Sequence, residues 1–189
     1  MFCICSVFIC LPGGSEQIID PKKPLLIVSP FVHEALFAQF PAGWSVVNKV
    51  REGDTCTMQL LPSGETPETM SKMVTIITKL GWQTQTNAEG FMKATAEQLR
   101  QNKDGAAVDF KIISNDNAND VMFEYYLKFP GGRKDNYLDQ YEAQRILSGV
   151  DGIHVIVYHV PKATIDGKTR QGIIDFLRAI HLEPLPLKK

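Results

Sequence analysis

The chain has 189 residues, 44% of them hydrophobic and 22% charged, with a mean hydropathy of -0.10. That composition excludes a disordered or fibrous protein and allows one domain with a sizeable core. Twenty Lys and Arg against 21 Asp and Glu give a formal net charge of -1, without the clustered positive field that nucleic acid or an anionic membrane demands.

The opening segment MFCICSVFIC crowds Cys3, Cys5 and Cys10 together, while Cys56 stands alone downstream. This spacing makes neither a disulfide framework nor a structural zinc site. The segment is apolar like the core of a signal peptide, but it lacks a positive n-region and is far too short for a membrane span. As a lipoprotein signal it would place the bulky Ile9 before Cys10, where a small residue is expected. Two readings stand: the stub of an export signal, or an incidental extension ahead of the true start. Residues Met1 to Asp20 are therefore set apart as an N-terminal extension, and 21–189 as a single domain.

Leu25 to Ser29 is a short apolar run. Phe31 to Phe40 is expected to form a helical turn or two, closed by Pro41 and Gly43. Trp44 to Val50 reads as a strand, and Thr55 to Leu61 alternates, with Cys56, Met58 and Leu60 on one face, so the Gly53 turn between them predicts a hairpin. Thr66 followed by Pro67 predicts an N-cap and a short helix. Met73 to Leu80 is a β-branched run. Thr86 and Glu89 have capping-box spacing, which predicts a helix to about Lys103 with Ala88, Phe91, Met92, Thr95 and Leu99 on one stripe.

Ala107 to Ile113 and Val121 to Phe129 are predicted strands around the polar turn SNDNAND. In the second, Val121, Phe123, Tyr125, Leu127 and Phe129 share a face, with Glu124 and Lys128 opposite. Tyr141 to Leu147 and Ile153 to Val160 bracket SGVDG as a further hairpin. A last helix, Thr169 to about His181, buries Ile173, Ile174, Leu177 and Ile180 before Pro184 and Pro186. Hairpins with helices inserted between them predict an α+β fold with a largely antiparallel sheet flanked by helices.

Pro41 to Trp44, the block LLPSGETPETMSKMVTII, the stretch ILSGVDGIHVIVYHV and the terminal amphipathic helix together resemble the PsbP-like α/β/α sandwich. That family holds the photosystem PsbP subunits, the Ran-binding Mog proteins and small bacterial envelope lipoproteins. The resemblance spans roughly Phe40 to His181. It implies an accessory or protein-binding subunit, brings no catalytic residue with it, and favours a bacterial envelope or periplasmic setting over the cytoplasm.

The residues themselves offer little chemistry. His33-Glu34 begins a zincin helix, but position 37, where the second His belongs, is Phe37. His154 and His159 point to opposite faces of one strand and cannot share a metal, so both read as half-buried strand residues. Asn115 to Asp120 lacks the Gly and Glu of a calcium loop, and Pro130 to Lys134 lacks the pattern of a phosphate loop. Ser63 and Ser148 sit outside any nucleophile elbow, and Cys56 reads as a small buried hydrophobe. No cofactor or metal is expected.

The expected function is therefore non-enzymatic binding of a protein partner through exposed loops. Asn115, Asp116, Asn117 and Asn119 form one candidate surface, and Arg133, Lys134 and Tyr137 a second. The alternative is a small-molecule site or unrecognised enzyme, with a pocket near His154, Tyr158 and Tyr126.

Overall fold

The computed structural model describes residues 6–9, 22–101, 106–128, 140–161 and 165–185. In chain order the strands and helices are β1 (Ser6–Ile9), β2 (Leu25–Pro30), β3 (Glu34–Phe40), β4 (Trp44–Glu52), β5 (Thr55–Pro62), β6 (Met73–Leu80), α1 (Ala88–Gln101), β7 (Ala106–Asn117), β8 (Asp120–Lys128), β9 (Gln140–Ser148), β10 (Gly152–Val160), α2 (Gly167–Ala179) and β11 (His181–Pro184). A 3-10 turn, Trp82–Thr84, joins β6 to α1.

Seven strands form one sheet in the order β4-β5-β6-β10-β9-β8-β7, and four form a smaller one in the order β1-β2-β3-β11. Pairing is antiparallel except between β1 and β2. The fold is α+β, as the alternating segments predict. The central strands are apolar on both faces, as strands covered on two sides must be. On one face Leu36, Phe40, Met122, Tyr141, Ile156 and Leu177 join a core shared by the small sheet, the large sheet and α2. On the other, Val121, Phe123, Tyr125, Ile146 and Val155 pack under Ala88 and Met92 of α1.

Several predicted elements differ. Phe31 to Phe40 is not helical: Glu34–Phe40 is a strand between β2 and β11. Its Leu36, Ala38 and Phe40 alternate into the core, so pairing on both sides overrides the helix preference of Ala and Leu. The turn after Thr66 never becomes a helix. Thr69 bonds back to Thr66 at 3.0 Å, and Glu65 ties down the Ser71 amide and hydroxyl at 2.6 and 2.8 Å, while the segment offers no apolar stripe to bury. The α1 helix is capped one residue later than its sequence suggests, by Asn87 Oδ1 accepting from the Gly90 amide at 2.8 Å.

Arg145 of β9 fixes α2 against the large sheet. Its guanidinium donates to both Asp120 oxygens at 3.0 and 2.8 Å and reaches the carbonyls of Leu177, Arg178 and Ile180 at 2.8, 2.9 and 2.6 Å. A cation is thereby placed on the C-terminal carbonyls, where the helix field favours it. At the other end of α2, Asp166 caps the Thr169 amide at 2.7 Å.

Candidate functional site

The most tightly organised polar cluster lies where the β2–β3 turn meets the β9–β10 loop. Glu34, at the start of β3, is buried and accepts hydrogen bonds from the amides of Val150 at 2.9 Å and Asp151 at 3.0 Å. Asp151 reciprocates, accepting from the amides of Val32, His33 and Glu34 at 2.8, 2.6 and 3.1 Å and from the His33 ring at 2.7 Å. Gly149 is required here, because a Cβ would stand 2.1 Å from Glu34 Oε1.

Beneath the clamp, His154 is 0% exposed. Its Nε2 meets Glu34 Oε1 at 3.0 Å and its Nδ1 meets the Thr78 hydroxyl at 3.0 Å. A carboxylate can only accept, so Nε2 carries the proton and donates to Glu34. Burial alone raises the pKa of Glu34 and of Asp151, but the hydrogen bonds to each outweigh it and hold both carboxyls below their ordinary values.

Other turns at this end are tied to the same cluster. Gln83 Nε2 donates to the Val150 carbonyl at 2.6 Å, the Leu185 amide to His33 O at 2.7 Å, and the Ser148 amide to Asn119 O at 2.8 Å. Trp82 donates to Asp54 at 2.9 Å, with the Lys79 ammonium 4.2 Å above its ring. Out of this rigid base project two valines, Val32 at 73% and Val150 at 64% exposure.

The predicted partner loops fall differently. Asn115 and Asn117 lie within β7 rather than in a loop, and Asp116 is in the same strand. Asn115 pairs with Val121 and Asn117 with Asp120, which leaves only Ala118 and Asn119 as the turn. Asn117 Oδ1 accepts from the Asn119 amide at 2.8 Å. This turn adjoins the clamp through Ser148. Arg133, Lys134 and Tyr137 lie outside the described residues.

The residues of the alternative pocket share one face of the large sheet, but each is packed against different neighbours. His154 belongs to the clamp. Tyr158 lies between Trp44 and Phe176, at ring distances of 6.2 and 5.6 Å, and Tyr126 lies against Tyr141 at 5.3 Å. His154 and His159 do point to opposite faces, yet both are buried rather than half-buried.

The pairing register assembles two further buried networks that no sequence motif marks. Under the α1 face, Tyr125, Glu142 and His159 face one another across β8, β9 and β10. Tyr125 OH donates to Glu142, Gln144 donates to Tyr125 OH at 2.6 Å, and His159 Nδ1 meets Glu142 at 3.1 Å. Burial and the neighbouring Glu142 carboxylate raise the Tyr125 pKa, so the phenol stays a donor. Among the described residues, His159 Nε2 and Gln83 Oε1 are buried without a partner. On the opposite face, Arg170 of α2 grips Glu124 through two bonds of 2.7 Å, and Tyr141 donates to the same carboxylate at 2.8 Å. Among the described residues no group of three His, Cys, Asp or Glu is placed to hold a metal ion.

No protein-family model matches this chain, and no curated protein does. A solved structure, that of the Ran-binding protein Mog1p of Saccharomyces cerevisiae, is similar at 11% sequence identity and a TM-score of 0.38, over 75% of this chain and 78% of that chain. At that level of similarity it assigns neither a function nor a site.

Proposed function

We propose that this chain is a non-enzymatic accessory protein that docks a protein partner on the loop end carrying Val32 and Val150. One observation carries the reading: two largely exposed valines stand on loops held by the reciprocal Glu34–Asp151 clamp. Single exposed apolar residues are ordinary. These two differ in being fixed by a buried polar network, so little conformational freedom is lost when a partner covers them. Loops displayed on a rigid scaffold are where binding function concentrates.

The envelope setting belongs to the same proposal; the family resemblance and the apolar opening MFCICSVFIC support it, and fractionation of native cells, with soluble and envelope material kept apart, decides it. The docking surface is tested by placing a photo-crosslinking amino acid at Val32 and, separately, at Val150. A discrete protein adduct is expected at both positions and none at Gln98, on the exposed face of α1. Equal adducts at all three positions would refute the reading.

A second reading, a small-ligand or enzymatic site, has one observation in its favour: the orphaned His159 Nε2 beside Glu142. It lies on the face opposite Tyr158 and Tyr126. Saturable metabolite binding abolished by His159→Gln would support it.

A further inference from the structure

His159 and Met73 stand opposite each other in the pairing of β10 with β6, so both side chains leave the same face of the large sheet, at the end away from the clamp. His159 is 6% exposed, and its Nδ1 lies 3.1 Å from Glu142 of β9. A carboxylate can only accept, so Nδ1 carries the proton and Nε2 is a bare lone pair. That nitrogen is buried without a partner. The two ring nitrogens diverge, and with Nδ1 turned to β9, Nε2 is turned toward the β6 side, where Met73 stands. Met73 is half-buried, and Gln59 Nε2 donates to its sulfur at 3.9 Å, which holds the thioether and leaves it a second lone pair.

Behind the histidine the charge is unbalanced. Burial pushes the Glu142 pKa up, but the bonds from His159, Tyr125 and Gln144 outweigh it and keep the carboxyl ionised. Those donors are neutral, and among the described residues no lysine or arginine pairs with Glu142. A proton on Nε2 would supply the missing positive charge only by burying an N–H that has no acceptor.

We infer that His159 Nε2 and Met73 Sδ bind one copper(I) ion, with Glu142 as the carboxylate behind the imidazole. The donor set decides the metal. A thioether with an imidazole, and no thiolate, suits soft copper(I), which accepts as few as two ligands; zinc, calcium and magnesium ask for more ligands or harder ones. Both Glu142 oxygens are already bonded, so this carboxylate acts through the ring. It fixes the tautomer and raises the basicity of the ligating nitrogen. One positive charge also matches the one buried carboxylate. The site is independent of the docking loops, and it gives the orphaned nitrogen an ion to hold in place of a metabolite.

The test is anaerobic titration of the full chain with copper(I) against a coloured copper(I) chelator. Thiolates bind the same ion, so the chain used carries Cys3→Ser, Cys5→Ser, Cys10→Ser and Cys56→Ser. One equivalent of copper(I) is expected per chain, and no zinc(II) under the same conditions. X-ray absorption at the copper edge should show one nitrogen and one sulfur neighbour. Met73→Leu conserves volume and removes only the sulfur, so it should unfold in urea close to the parent while binding copper(I) about a hundredfold more weakly. His159→Gln should lose binding to at least the same extent. Undiminished copper(I) binding in folded Met73→Leu, no copper(I) bound by the folded parent, tighter binding of zinc(II), or a metabolite whose binding needs His159 and not Met73 would overturn the inference. Cross-linking at Val32 and Val150 should persist in both variants, so the metal site and the docking surface stand or fall separately.

Discussion

Glu34 and Asp151 hold each other's backbone: the Asp151 amide donates to Glu34 Oε1 at 3.0 Å, and the Glu34 amide donates to Asp151 Oδ2 at 3.1 Å. The exchange joins the small sheet to the large one across 117 residues of chain. Asp151→Ala removes the acceptor for three amides and the His33 ring. We expect a loss of about 1 to 3 kcal/mol in urea unfolding, with amide exchange at Val32 and His33 accelerated first. Unchanged exchange at those two amides would show that the clamp does not order the turn.

The same pair predicts an acid-side instability. Both carboxyls titrate below their ordinary values, because hydrogen bonds to the charged form outweigh the upward push of burial. A depressed carboxyl contributes stability that is complete above its unfolded pKa, about 4, and is lost as pH falls through the lower folded value. Unfolding free energy should therefore decline steeply below about pH 4, and less steeply in Asp151→Asn. An identical acid slope in the variant would contradict this assignment.

Arg145 makes a separable prediction. Arg145→Met strands Asp120 and the carbonyls of Leu177, Arg178 and Ile180 at the end of α2, for a cost of about 2 to 3 kcal/mol, below the range for fully buried pairs because Asp120 is partly exposed. Arg145→Lys should recover little, since an ammonium cannot serve the carboxylate fork and the helix end together. Hydrogen exchange should show fraying confined to the last turn of α2; fraying of the first turn instead would point to another cause.

The N-terminal extension can be tested by deletion. Ser6–Ile9 pairs in parallel with Leu25–Val28 at one end of the small sheet's described strands. Removing Met1 to Asp20 should lower the melting temperature while leaving one cooperative transition. A broad, non-cooperative melt would place the domain boundary before residue 21.

Much of the fold was legible because it rests on short-range periodicity. The alternation in Thr55 to Leu61 and Val121 to Leu127 needs only two-residue spacing, and the last helix announces itself through Ile173, Ile174 and Leu177. Phe31 to Phe40 misled because Ala35, Leu36 and Ala38 favour a helix locally, and only pairing with β2 and with β11, far along the chain, makes the strand. Asn115 to Asn117 misled for the opposite reason. Turn-forming residues sit in the strand that ends the large sheet among the described residues, where the side chains of Asn115 and Asn117 meet solvent.

The candidate site was hardly legible at all. His33-Glu34 and the SGVDG loop were each conspicuous, but nothing local says that one carboxylate answers the other. Glu142 and His159 likewise meet only through the register of β9 on β10. Exposed Val32 and Val150 carry no sequence signal, because their meaning lies in what holds the loops beneath them.

The most direct test of the docking account is recovery of the native partner by the double variant Val32→Ser with Val150→Ser. Both positions are exposed, so unfolding free energy should stay within about 0.5 kcal/mol of wild type. The account predicts that partner recovery from native cells then falls to background. Wild-type recovery by the folded double variant would contradict it.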